Sequence, residues 1–189
     1  LPTTRPAQLT PRPVGVDCWR IDGQAPADWT WDAFAAPRYR FDSADGSARA
    51  RYAGFTARGA ARERWDPDRT IAAREAASWL VHLQGTLNVV DLRQETILDT
   101  LGLDDRVNTA RDADTWKTCQ LLGDLLRRWF GPDLDGIIFR SRTTPETSAN
   151  IAWQNPCGVT VVTANRLDTQ GSLLDRLVIN DGFTVRFQW

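Results

Sequence analysis

Residues 112–130, DADTWKTCQLLGDLLRRWF, place apolar side chains at Trp116, Cys119, Leu122, Leu126 and Trp129. Steps of three and four lay one apolar stripe along a helix, and Gly131-Pro132 predicts its end. Such a helix needs an apolar surface to lie on, and the chain on both sides of it offers short β patterns. Before it come residues 16–21 (VDCWRI), 50–55 (ARYAGF), 79–84 and 87–92, the last two separated by Gly85. After it come 136–142 (GIIFRSR), 151–153, 159–164, 177–180 and 183–189, and Asn180-Asp181-Gly182 predicts a hairpin between the final pair. Within 136–142, alternation puts Ile137, Phe139 and Ser141 on one face and Arg140 and Arg142 on the other. A second short helix is predicted over 94–101, stopped by Gly102. The expected architecture is α+β, with strands at both ends and a long central helix.

The 189 residues suit one domain with a sizeable core. Residues 1–15 carry four prolines and predict an extended arm, leaving 16–189 as the folded unit. Residues 22–37 read as a loop packed down by Trp29, Trp31 and Phe34, and 67–77 reads as loop or short helix. No apolar run reaches the roughly 18 residues of a membrane span, and the N-terminus lacks the apolar centre of a signal peptide. A soluble cytoplasmic protein without membrane contact is expected. Cys18, Cys119 and Cys157 share no metal-ligand spacing and are expected to be buried thiols. The net charge of -1 excludes a wholly basic nucleic-acid coat.

The stretch 40–63 carries the candidate chemistry. It presents Arg40, then Tyr52 on a predicted strand, then Glu63 on a predicted helix over 57–65 with Thr56 as its N-cap. Asp66 precedes Pro67, which disfavours further helix. Gly59 and Ala60 lie one turn before Glu63 and leave the helix surface bare there, an arrangement that would make room for a ligand. Phosphate-binding glycine loops and paired zinc-ligand histidines are absent, and the single histidine, His82, sits in a strand pattern. Ser141 has none of the glycine framing of a nucleophile elbow.

Taken together, Arg40-Phe41, Tyr52-Ala53-Gly54, Glu63, Asp91-Leu92, the 112–130 helix and DGIIFRS at 135–141 resemble the RES domain, a family of bacterial NAD-consuming enzymes. Cys18-Trp19-Arg20-Ile21 resembles the family's first strand, so the likeness runs from about residue 18 to the C-terminus. The sequence departs from the pattern in lacking glycines just before Arg40, in Phe41 where some members carry Trp or Tyr, and in Gly54. The resemblance implies a fold related to ADP-ribosyltransferases. It implies a toxin that cleaves NAD+, held in check by a cognate Xre-type antitoxin through which any nucleic acid would be contacted. It implies no resident cofactor, with NAD+ as substrate and inorganic phosphate or water as acceptor. Arg40, Tyr52, Glu63 and Ser141 would be the catalytic set, and Arg40, Phe41, Tyr52 and Ser141 would bind substrate.

Those residue types suit the reaction. Departure of neutral nicotinamide leaves positive charge on the ribose, which a carboxylate at Glu63 can stabilise. Arg40 can grip a diphosphate through its planar fork, Tyr52 can stack on the cationic ring, and Ser141 can orient an oxygen. Two other classes compete. Transfer of ADP-ribose to a macromolecule would need an acceptor loop that the sequence does not reveal. Nucleic-acid binding would use the seven arginines between residues 38 and 64, set against Asp42, Asp45 and Glu63. The plain structural alternative pairs Glu63 with Arg62 or Arg64 on a solvated helix.

Overall fold

The computed structural model of the protein describes residues 1–30, 39–66, 68–143, 149–153 and 158–189. Trp31, Phe34, Pro67 and Cys157 lie outside the described residues. The strands are β1 (Arg12–Asp22), β2 (Arg51–Gly54), β3 (Thr70–Ile71), β4 (Trp79–Asp91), β5 (Gly136–Arg140), β6 (Ala149–Trp153), β7 (Val159–Arg166) and β8 (Thr184–Val185). The helices are α1 (Ala57–Trp65), α2 (Glu95–Leu101), α3 (Arg106–Thr109), α4 (Ala113–Phe130) and α5 (Gly171–Asp181).

The large sheet runs β1-β2-β6-β5-β4-β7, and an additional pairing of β1 with β4 closes the first five strands into a ring. All pairs are antiparallel except β4 with β5. Alternation along β4 sends Val81, Leu83, Leu87 and Val89 to the inside, where they meet Val16, Cys18, Ala53, Ile138 and Ile151 from the other strands. Outside the ring, α2 and α4 bury Leu98, Leu101, Cys119, Leu122 and Leu126 against Val90, Ile137, Phe139 and Ala152. A third core joins α1 and α5 through Ala61, Trp65, Leu174 and Leu177, with Ile21 and Leu80 beneath them. Burial pushes the Cys18 thiol up to about 12 and that of Cys119 to about 11, so both stay protonated.

Four expectations are corrected. β1 begins at Arg12, inside the predicted arm, and Leu9 before it is buried. β4 is one strand, not two, because β1 pairs with it from Trp79 to Val89 without a break. Gly85 marks a close approach instead: a side chain there would meet the Gly158 carbonyl oxygen at 1.8 Å. The expected strand 177–180 is part of α5, where Leu174, Leu177 and Asp181 are buried at helical spacing. Gly182, at φ 67°, is therefore a left-handed helix terminus and not the turn of a hairpin, and its N–H donates to the Leu177 carbonyl. Beyond it only β8 is strand, and it pairs in parallel with β3.

Candidate active site

Glu63 owes its position to the way α1 starts and to what it rests on. Thr56, in an extended conformation, accepts a hydrogen bond from Gly59 N at 2.9 Å, capping the helix as expected. β2 feeds directly into this cap, and Gly54 lies against the first turn. A Cβ on Gly54 would stand 2.7 Å from Ala60 N and 3.1 Å from the Gly59 carbonyl carbon. Backbone meets backbone where β2 crosses the bare patch at Gly59 and Ala60, and Ala60 still lines the cleft beside Glu63. Close packing at that point fixes the angle at which α1 leaves the sheet, and Glu63, one turn on, lies at the edge of a cleft.

The Glu63 carboxylate meets hydroxyls. Thr143 Oγ1 donates to Oε2 at 3.1 Å, and Ser141 Oγ approaches the same oxygen at 3.4 Å, a longer and weaker contact. The two hydroxyls are 3.2 Å apart, and Thr143 N donates to Ser141 Oγ at 3.3 Å. The arginines beside Glu63 go elsewhere. Arg62 binds Asp181 at 2.6 Å and Arg64 binds Glu75 at 2.9 Å. Among the described residues no ion pair is formed by Glu63 itself.

Arg40 is buried, and its guanidinium donates to the carbonyls of Val107 at 2.9 Å, Asn108, and Ala110 at 3.0 Å. It clamps α3 and Ala110 just after it while lining the cleft, with Nη1 donating to two carbonyls and Nη2 to one. Burial lowers its pKa from the ordinary arginine value. Tyr52 lines the cleft too, its ring near Tyr39 at 5.6 Å and edge-on to Phe139 at 6.1 Å. Its hydroxyl accepts the Phe41 N–H at 2.7 Å, and burial pushes its pKa well above the ordinary phenol value. Phe41 does not line the cleft. Fully buried and 5.0 Å from the Phe139 ring, it is a core residue, which corrects its assignment to substrate binding. Ser141 reaches the site through Glu63 and does not line the cleft. His82 stacks on Trp19 at 4.1 Å and contacts Asp17 at 2.5 Å, away from the cleft.

The cleft encloses about 590 Å³ and is lined by seven arginines and five carboxylates, a positive balance suited to an anionic ligand. Several buried polar atoms on its wall have no hydrogen-bond partner among the described residues: Trp116 Nε1, Arg142 Nε, and both amide atoms of Asn150. Native structures leave few such atoms, and here they gather beside the cleft. Sequence reasoning had not assigned Thr143, Arg142, Trp116 or Asn150 to the site. The first two flank Ser141 closely enough to be noticed, whereas Trp116 reads as part of the α4 stripe. For Asn150 the only signal is the alternation of ANIAW, which places it on the same face as Ala152.

The family model for the RES domain matches residues 17–173. The chain belongs to the RES domain family. A chain of the M. tuberculosis MbcT-MbcA toxin-antitoxin complex shares the fold of this RES domain, with a TM-score of 0.65 at 16% identity over 89% of this chain and 91% of that one. No curated protein matches the chain. In this RES domain no helix among the described residues is long and apolar enough to cross a membrane. Nor do the described residues contain a cluster of His, Cys, Asp or Glu able to hold a metal ion.

Proposed function

We propose that this RES domain is a toxin that binds NAD+ in the cleft and breaks the bond between nicotinamide and ribose. The observation that carries the reading is the state of Glu63, a carboxylate at the cleft edge held by hydroxyls and, among the described residues, in no ion pair with an arginine. As the glycosidic C–N bond breaks, its electron pair leaves with nicotinamide and positive charge develops on the ribose. Only a group that is negative and already in place stabilises that charge without reorganising first. A phosphate or water oxygen then bonds to the same ribose carbon, giving ADP-ribose 1-phosphate, or ADP-ribose with release of a proton. The arginine-rich lining favours the NAD+ diphosphate and would equally favour phosphate as acceptor.

Roles follow from contacts. Thr143 and Ser141 orient the Glu63 carboxylate. Tyr52 offers a ring face to the cationic nicotinamide, and its hydroxyl, tied to Phe41 N, stays protonated. Arg40 holds the wall formed by α3 and Ala110, and Arg142, whose Nε has no partner among the described residues, is a further phosphate donor.

Family membership and the toxin-antitoxin description of the structural relative support a dedicated antitoxin partner and a cytoplasmic site of action. The nucleic-acid reading has less support because Arg40, Arg58, Arg62 and Arg64 are each engaged by groups of the protein itself. Incubating the purified protein with NAD+, with and without phosphate, tests the proposal. Nicotinamide should appear with one equivalent of ADP-ribose or its phosphate ester, and NAD+ left intact over hours under both conditions would show the reading to be wrong.

A further inference from the structure

Asn150 is 1% exposed, lines the cleft, and has no hydrogen-bond partner for either Nδ2 or Oδ1 among the described residues. Its neighbours in the sheet explain why. In register it lies between Gly54 on β2, which has no side chain, and Phe139 on β5, whose ring is apolar. Alternation directs it to the same sheet face as Tyr52, away from the interior of the ring. A buried amide with both ends unmatched is unfavourable, and an apolar residue of similar size would sit there without that cost. Nothing among the described residues matches the amide, and a ligand that returns both a donor and an acceptor would.

The unpartnered atoms of the cleft sort by chemistry. Trp116 Nε1 and Arg142 Nε can only donate, which suits phosphate oxygens. Asn150 can do both, side by side in one plane. In NAD+ two groups present a matching planar pair: the carboxamide of nicotinamide and the N1/N6 edge of adenine. Position separates them. Asn150 is paired with Gly54, on which Ala60 rests, and Glu63 follows Ala60 by one turn, so the amide lies on the scissile side of the cleft.

We infer that Asn150 is a specificity-determining residue that recognises the carboxamide of nicotinamide through two reciprocal N–H···O=C bonds. The inference rests on the NAD+ reading of the cleft. It makes the protein selective for nicotinamide dinucleotides over those bearing nicotinic acid, whose carboxylate has no hydrogen to donate at neutral pH.

The test compares the wild-type protein with Asn150→Leu on three substrates: NAD+, nicotinic acid adenine dinucleotide and nicotinamide hypoxanthine dinucleotide. Free nicotinamide serves as an inhibitor. Wild type should prefer NAD+ over the nicotinic acid analogue by about 100-fold or more in kcat/KM. Asn150→Leu should lower kcat/KM for NAD+ by about 10- to 100-fold, shrink that preference to a few-fold, and relieve inhibition by nicotinamide. Its melting temperature should be unchanged or higher, since no protein hydrogen bond is lost. If Asn150→Leu fails to fold, Asn150→Ala replaces it in the same assays.

Cleavage of NAD+ by a folded variant that keeps the wild-type preference overturns the Asn150 assignment and leaves the functional reading standing. A variant altered only towards the hypoxanthine analogue overturns it in favour of adenine recognition. Equal losses on all three substrates make the residue structural. A wild-type protein that neither cleaves NAD+ nor binds nicotinamide overturns both proposals together.

Discussion

Arg58 and Arg62 leave α1 towards Asp181, whereas Glu63, the next residue along, leaves it towards the cleft. Asp181 is nearly inaccessible, its side chain 1% exposed, and it accepts from Arg58 at 2.5 and 2.7 Å and from Arg62 at 2.6 Å. Arg69 adds a bond to its carbonyl at 2.8 Å. That carboxylate is neutralised, and what it contributes is attachment of α1 to α5. Glu63 receives hydroxyls at 3.1 and 3.4 Å and, among the described residues, forms no ion pair. Hydroxyls fix its orientation without cancelling its charge. One short helix thus shows how arginines close by in sequence can be used to spare a carboxylate: Arg62 and Arg64 are drawn off by Asp181 and Glu75, and the charge between them stays available.

The comparison is sharpened most by Glu63→Gln. Shape and hydrogen bonding are retained and only the charge is lost, so nicotinamide release should fall by about 100- to 1000-fold with little change in NAD+ affinity or melting temperature. Wild-type turnover from a folded Glu63→Gln protein would break the contrast between the two carboxylates.

Asp181→Ala should do the reverse. Removing a buried partner from two arginines, one of them half exposed and free to rehydrate, should cost about 2 to 3 kcal/mol of stability. Turnover per folded molecule should stay within a few-fold. The pH dependence carries a sign. The Arg58 hydrogen bond, with the Arg58 and Arg62 charges, holds the Asp181 carboxyl below its ordinary value against the opposing effect of burial. Its stabilisation is therefore fully present above the unfolded value near 3.9 and is lost as pH falls through the lower folded one. Denaturant titrations at pH 7 and below pH 4 should show the gap between wild type and Asp181→Ala narrowing with acid. A gap that widens there would contradict the ion-pair account.

Of these two carboxylates, Glu63 was legible in the sequence and Asp181 was not. Glu63 sits in a helix whose cap, Thr56, and end, Asp66-Pro67, are local signals, and local signals survive folding. Asp181 meets Arg62 across 119 residues, and the run Leu177-Val178-Ile179 before Asn180-Asp181-Gly182 reads as a strand entering a turn. Helical burial of Leu174 and Leu177 against α1 prevailed over that local pattern, a tertiary effect. Arg40 was found but its partners were not, because backbone carbonyls carry no sequence signature. Gly59 was noticed as anomalous, yet its reason lay in Gly54 of a different element. Asn150 escaped because an orphaned amide is defined by what its neighbours lack, and Gly54 and Phe139 become its neighbours only in the sheet.

Tyr52 supplies the smallest and most discriminating test, since it belongs to both kinds of region at once. Its ring faces the cleft while its hydroxyl accepts the Phe41 N–H at 2.7 Å, joining β2 to the segment that carries Arg40. Tyr52→Phe keeps the ring and leaves that N–H without its acceptor, so stability should drop by about 1 kcal/mol. If the ring is what meets the cationic nicotinamide, turnover should change by no more than a few-fold. Burial keeps the hydroxyl protonated through neutral pH, so the pH profiles of wild type and Tyr52→Phe should also superimpose between pH 6 and 9 within about the error of the assay. A loss of 100-fold in turnover, or disappearance of a limb from the profile, would instead assign the hydroxyl to the chemistry. Tyr52 would then stand with Glu63, as a group used in the reaction, and not with Asp181 as a group used to hold the fold.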